Sequence, residues 1–122
     1  MSRETHVDEK ILEAFHLMYD HFPESVTLVH KTKQIVAVNA AGKAAGREPG
    51  MFCIKQGRPE DHAICRAAKA VAKHRAQWVK ASPSQDPDKS FVAFWLPVDG
   101  HPDFYVHFSI GYRVDYSQPP AE

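Results

Sequence analysis

Hydrophobic residues change their spacing several times along this chain, and each change marks an element. Over residues 8–22 the apolar positions Ile11, Leu12, Phe15, Met18, Tyr19 and Phe22 recur at steps of three and four, the period of a helix with one apolar stripe. Asp8 and Glu9 suit the positive end of its dipole and Pro23 stops it. That stripe must be buried, either on the chain's own sheet or on a second copy. Residues 26–30 and 34–38 are rich in β-branched side chains, and Lys31, Thr32 and Lys33 between them read as a hairpin turn. Asn39 suits the N-cap of a helix over 40–45, and Gly46 suits its closing position. Pro59 opens a helix that runs to about His74, with Ile64, Ala67, Ala68, Val71 and Ala72 at helical spacing. The last third reads as strands over 76–81, 91–98 and 104–114. They are separated by the polar, proline-bearing loop 82–89 and by the turn pair Asp99-Gly100.

Strands grouped at both ends with helices between them predict an α+β fold with an antiparallel sheet. The chain has 122 residues, the length of one domain. Residues 1–24 form an N-terminal helical segment, 25–116 the core, and 117–122 a frayed tail. With 15 basic and 15 acidic residues the formal net charge is zero, which argues against a nucleic-acid partner, since that needs a basic face for phosphates. No apolar run approaches the ~20 residues of a membrane span, and the polar start MSRETHVDEK has no secretory apolar core. The expectation is a soluble, cytoplasmic protein with no membrane partner. Two cysteines, Cys53 and Cys65, are too few for a disulfide scaffold and are thiols or ligands in a reducing compartment.

The order helix, strand, strand, short helix, helix, three strands, with Gln34-Ile35-Val36-Ala37-Val38-Asn39 and Gly46, resembles the PAS domain family over nearly the whole chain. The resemblance implies a five-stranded antiparallel sheet in the order 2-1-5-4-3, helices on one face, and a pocket between them. Family members use such a pocket for haem, flavin, small metabolites or nothing. A second stretch, Pro49-Gly50-Met51-Phe52-Cys53 followed by Gly57-Arg58-Pro59 and His62-Ala63-Ile64-Cys65, is similar to a PAS subgroup with an early Cys, a Gly-Arg turn and a Cys-x-x-Cys pair. Here His62 stands where that pair has its first Cys.

Three groups of residues can carry chemistry. Cys53, His62 and Cys65 are ligand types that suit zinc or iron, and His-x-x-Cys on one helical turn faces both side chains the same way. His30, His74 or His107 can supply a fourth ligand. The alternative is two thiols packed in the core and an exposed His. His107 lies mid-strand and alternates with Phe104, Val106 and Phe108, so it shares a face with Tyr105, Ser109 and Gly111. That face is either solvated or a ligand pocket, in which a lone His is also the ligand type that holds haem iron. Phe91, Trp95 and Tyr105 belong to an aromatic concentration that reads as sheet core or as the lining for a flat ligand. The signatures of common hydrolases, phosphate loops and dinucleotide folds are absent, as is the Asn-Cys-Arg run of flavin-adduct light sensors. The expectation is therefore not an enzyme but a stand-alone sensory or interaction domain that binds a small ligand or a signalling partner in trans. A homodimer is expected through Ile11, Phe15, Met18 and Phe22. The alternatives are a metal- or redox-responsive protein using Cys53, His62 and Cys65, and a small enzyme pairing His107 with Asp103.

Overall fold

The apolar residues of the central strands, 26–30 and 104–110, fall on both faces of the sheet, and each face is covered by a helical layer. The computed structural model describes residues 6–56 and 59–120. Its elements are α1 (Glu9–Tyr19), β1 (Val26–His30), β2 (Ile35–Val38), α2 (Ala40–Ala44), α3 (Ala67–Lys73), β3 (Gln77–Ala81), β4 (Phe91–Pro97) and β5 (Phe104–Ile110). Short 3-10 turns at Cys53–Lys55 and Pro59–His62 precede α3. Among the described residues the strands form one antiparallel sheet in the order β2-β1-β5-β4-β3. β5 sits at the centre, with Thr27 and Trp95 opposite His107 on its two sides.

One face of the sheet packs on α1. Ile11 and Phe15 are buried there against Val26, Leu28, Ala37, Phe104 and Val106. At about 1.5–3 kcal/mol for each large apolar side chain buried, this contact gives the terminal helix a place on its own chain. The opposite face carries Val29, Ile35, Val38, Ala93, Trp95 and Tyr105 and meets Ala67 and Ala70 of α3. The N-terminal helix and the internal helices thus lie on opposite sides of the sheet. The candidate dimer residues are divided by this packing. Ile11 and Phe15 belong to the chain's own core, Phe22 meets the Phe108 ring edge-on at 5.5 Å, and Met18 stays 69% exposed beside Leu17 at 86%.

Asn39 fixes how these layers meet. Its side chain is fully buried, and its Oδ1 accepts hydrogen bonds from the backbone N–H groups of Val26 at 2.8 Å and Gly42 at 2.9 Å. Its Nδ2 donates to the carbonyls of Tyr19, Phe22 and Glu24. One amide therefore caps α2, anchors the start of β1 and collects the carbonyls where α1 ends. That last role explains why α1 stops at Tyr19 and does not run to Phe22. Only a side-chain amide offers an acceptor oxygen together with two N–H donors.

Two further elements differ from the sequence expectation. The helix expected over 59–74 is two pieces, because the His62 ring bonds to the Gln56 carbonyl and Cys65 N–H turns back to the His62 carbonyl at 3.1 Å. α3 begins only at Ala67, and the Arg66 side chain at its N-cap position does not cap it but donates to the Gln77 side-chain oxygen at 3.1 Å. His62 and Cys65 are consequently not on one helical turn. The last strand ends at Ile110, not Val114. Gly111 has φ of +88°, and the next N–H groups leave the ladder for the Glu24 carboxylate. The Gly57-Arg58 turn lies outside the described residues, as does the end of the tail at Ala121 and Glu122. No helix among the described residues is long and apolar enough to cross a membrane.

Candidate functional site

The strand face that alternates Tyr105, His107 and Ser109 does not reach α3 along its whole length, and the gap is a cavity of about 370 Å3. The sheet supplies Thr27, Ile35, Phe91, Ala93, Trp95, His107 and Ser109 to its wall. The opposite wall comes from the irregular segments: Arg47 after α2, Cys53 and Gln56, then His62, Ile64 and Cys65 before α3. Pro83 and Gln85 of the loop before β4, with Tyr112 and Arg113 after β5, complete it. The Gln85 amide donates to the Tyr112 hydroxyl at 3.3 Å, joining those two segments.

His107 is the best-defined polar group in the wall. Its Nδ1 donates to the Phe94 carbonyl at 2.9 Å, and its ring stacks on Trp95 with centroids 4.9 Å apart and planes 11° from parallel. This bond fixes the tautomer and leaves Nε2 as the unprotonated nitrogen. Burial pushes the His107 pKa down to about 4, with the Arg47 charge adding to the effect and the Phe94 hydrogen bond opposing it. The ring is therefore neutral near pH 7. Asp103 does not join it; that carboxylate pairs with Lys31 at 3.2 Å on the exposed hairpin end. The acid–base pair of His107 and Asp103 is thus not formed.

Of the remaining candidates, Trp95 and Phe91 line the cavity, while Tyr105 is fully buried in the core beneath it. The Tyr105 hydroxyl has no hydrogen-bond partner among the described residues, and burial raises its pKa further above the phenol range. Cys53, His62 and Cys65 face the same cavity, but no group of three or more His, Cys, Asp or Glu among the described residues is arranged to hold a metal ion. Both thiols are free. Burial, together with the nearby Cys65 thiol, raises the Cys53 pKa, so Cys53 is a protonated, weakly nucleophilic thiol. His30 bonds to Thr32 and meets the Phe104 ring edge-on, and His74 pairs with Asp99 at 2.8 Å; neither lines the cavity.

Two wall residues escaped the sequence reading. Glu24 is buried at 3% exposure, and its carboxylate accepts hydrogen bonds from the backbone N–H groups of Gly111, Tyr112 and Arg113 and from the Tyr116 hydroxyl. It ties the segment after β5 to the start of β1. A Glu after a proline carries no pattern that would reveal this. Arg47 is placed by the end of α2. Gly46, at φ of +91°, donates to Lys43 at 2.9 Å, and Arg47 N–H donates back to Gly42 at 3.0 Å. This is the paired closure of a Schellman motif. The closing glycine was legible in the sequence, but Arg47 enters the cavity wall only through the geometry of that turn.

This architecture has counterparts among solved structures. Over 88% of its length the chain is similar to the LOV protein of Rhodobacter sphaeroides, at 23% identity, a TM-score of 0.57 and 70% of that chain. A sensory box sensor histidine kinase from Vibrio cholerae matches 83% of this chain and 87% of its own at 11% identity and a TM-score of 0.59. The PAS domain of Bordetella pertussis BvgS matches 84% and 83% at 14% identity and a TM-score of 0.51.

The fold is the PAS fold.

No model of a known protein family matches the chain, and no curated protein matches it. The likeness therefore rests on the shared PAS architecture, with the sheet order and the helical layer over one face, and the cavity described above lies between those two layers.

Proposed function

We propose that this PAS-fold chain is a sensory domain of signal transduction that takes a small molecule into the cavity between its sheet and helical layer. The observation that carries this reading is the cavity itself. Its volume of about 370 Å3 falls in the range of small-molecule sites, and its wall mixes aromatic rings with a few placed polar groups. The likeness to sensory proteins of the same fold supports the assignment to signalling. Occupancy would bear on two segments at once, because Arg113 and Tyr112 of the wall are tied to Glu24 before β1, and the Glu24 carbonyl shares the Asn39 amide with the Tyr19 carbonyl at the end of α1. A ligand signals only by favouring one arrangement of such a segment over another. A homodimer through α1 belongs to this reading, carried by the outward side chains of Leu17 and Met18.

A cavity-filling variant tests it. Ser109 lines the cavity, and Ser109→Phe places a ring in that space. Nuclear magnetic resonance spectra of the wild-type protein, titrated with a small-molecule library, should show shifts at Thr27, Ser109 and Arg47. Folded Ser109→Phe should lose them. A library that moves neither protein, or moves both alike, overturns the reading.

A further inference from the structure

A guanidinium seldom sits in a protein wall without an acceptor, because burying an unpaired charge is costly. Arg47 does so. It lines the cavity and is half-buried, so that burial lowers its pKa; as a guanidinium it stays charged. Among the described residues no carboxylate pairs with it. After burial, the neighbours that bear on its pKa are Cys53, Arg113 and Tyr112, and of these Cys53 is a protonated thiol. The one acidic residue of the wall, Glu24, has both oxygens committed to Gly111, Tyr112, Arg113 and Tyr116. Arg113 adds a second positive group, held over the Tyr112 ring at 5.5 Å. The Ser25 hydroxyl, in the same wall, is buried without a partner. The cavity wall therefore carries two guanidiniums and a single carboxylate whose acceptor sites are already taken, so one positive group faces the cavity with no carboxylate oxygen left to bind it.

The geometry points to a small organic carboxylate as the ligand of this cavity, its carboxylate held by Arg47 and its apolar body against Trp95 and Phe91. This inference rests on the ligand-sensing reading above and names the ligand class. A guanidinium matches a carboxylate in two parallel hydrogen bonds, which gives both strength and orientation. The remainder of the wall favours an organic anion over inorganic phosphate. Ile35, Ile64, Phe91, Ala93 and Trp95 supply hydrocarbon surface that phosphate could not use. His107, neutral and already donating to Phe94, adds no charge for a dianion.

The test pairs an acid with its neutral isostere. Indole-3-acetate and indole-3-acetamide, and benzoate and benzamide, are titrated calorimetrically into wild-type protein, Arg47→Gln and Arg47→Lys, with inorganic phosphate as a further ligand. The wild type should bind the acids at least about tenfold more tightly than the amides, the size of one charge-assisted hydrogen bond. Arg47→Gln should lose that preference while binding the amides as before, and Arg47→Lys should keep part of it. In parallel, the His107 ring pKa followed by magnetic resonance should rise when benzoate binds, because the anion offsets the Arg47 field. Equal binding of acid and amide, an Arg47→Gln variant as acid-selective as wild type, or phosphate bound more tightly than any acid overturns the carboxylate assignment and leaves the cavity as a ligand site. Binding of none of these probes, with no shift at His107, counts against the assignment and the ligand-sensing reading together.

Discussion

Replacing Asn39 by Asp separates two accounts of that residue. By local propensity the change is harmless, since Asp and Asn are about equally good N-caps. The structure says otherwise. Asn39 Oδ1 already satisfies Val26 and Gly42, and an Asp keeps those two bonds. The Nδ2 side faces three carbonyl oxygens, of Tyr19 and Glu24 at 3.0 Å and of Phe22 at 3.3 Å. An Asp puts a carboxylate oxygen there, with full burial and no donor. Tyr19 retains a bond from Phe22 N–H, so the loss falls chiefly on the Phe22 and Glu24 carbonyls. At about 1–3 kcal/mol for each buried polar group left unsatisfied, and more for a buried charge facing like partial charges, the cost is roughly 3–5 kcal/mol. That is a large share of the ~5–15 kcal/mol that holds a typical domain folded. Urea unfolding followed by circular dichroism measures it, with Asn39→Ala as the reference. Asn39→Asp should be no more stable than Asn39→Ala. An Asn39→Asp protein within about 1 kcal/mol of wild type would refute the account of Asn39 as a donor to three carbonyls.

The same geometry predicts other outcomes. A Cβ on Gly42 would collide with Val38 Cγ1 and lie 2.9 Å from Ser25 Oγ, so Gly42→Ala should lower the unfolding free energy by about 1–3 kcal/mol despite its better helix propensity; a stabilised variant in urea melts would contradict it. The folded His107 pKa lies below the ordinary 6.5 at about 4, so the unfolded chain takes up the proton first. Stability is then full above pH 6.5 and falls as the pH drops from 6.5 towards 4, by up to ~3 kcal/mol at about 1.4 kcal/mol per unit. Urea midpoints at pH 7.5 and 4.5 should differ less in His107→Gln than in wild type, and equal pH dependence in the two proteins would discard this. Glu24→Gln should free residues 111–116, since an amide nitrogen cannot accept from backbone N–H groups; amide exchange at Gly111, Tyr112 and Arg113 should accelerate, and unchanged protection would count against the clasp. Leu17→Asp with Met18→Asp should leave the monomer's stability within about 0.5 kcal/mol, whereas Phe15→Asp should unfold the chain; a folded Phe15→Asp protein in circular dichroism would show that α1 does not dock as described.

The fold was legible because its signals are local and repeated. Alternation along 104–110 placed His107 and Tyr105 on one face and Phe104 and Val106 on the other, as observed. Asn39 and Gly46 bracketed α2 as expected. Legibility failed where side chains act on distant backbone. Nothing in the spacing of residues 59–74 reveals that the His62 ring takes the Gln56 carbonyl and interrupts the helix. The apolar stripe of α1 was correct in period, but period alone cannot say whether Phe15 meets its own sheet or another chain. Arg47 and Glu24 carry no motif. They matter because a left-handed glycine turn and a string of freed N–H groups bring them to the cavity.

The place of β5 at the centre of the sheet has a consequence for how the chain reaches this structure during synthesis. The first strand waits for the last, since Thr27 bonds across to His107, 80 positions on, and Glu24 before it to Tyr116, 92 positions on. Until residues 104–110 leave the ribosome there is only a β1–β2 hairpin and a β3–β4 hairpin, each with an unpaired inner edge. Such edges are templates for wrong pairing, and contacts this distant in sequence close slowly. Strand β5 is therefore the rivet of the sheet, and a nascent chain stalled before Phe104 holds two halves with nothing to join them.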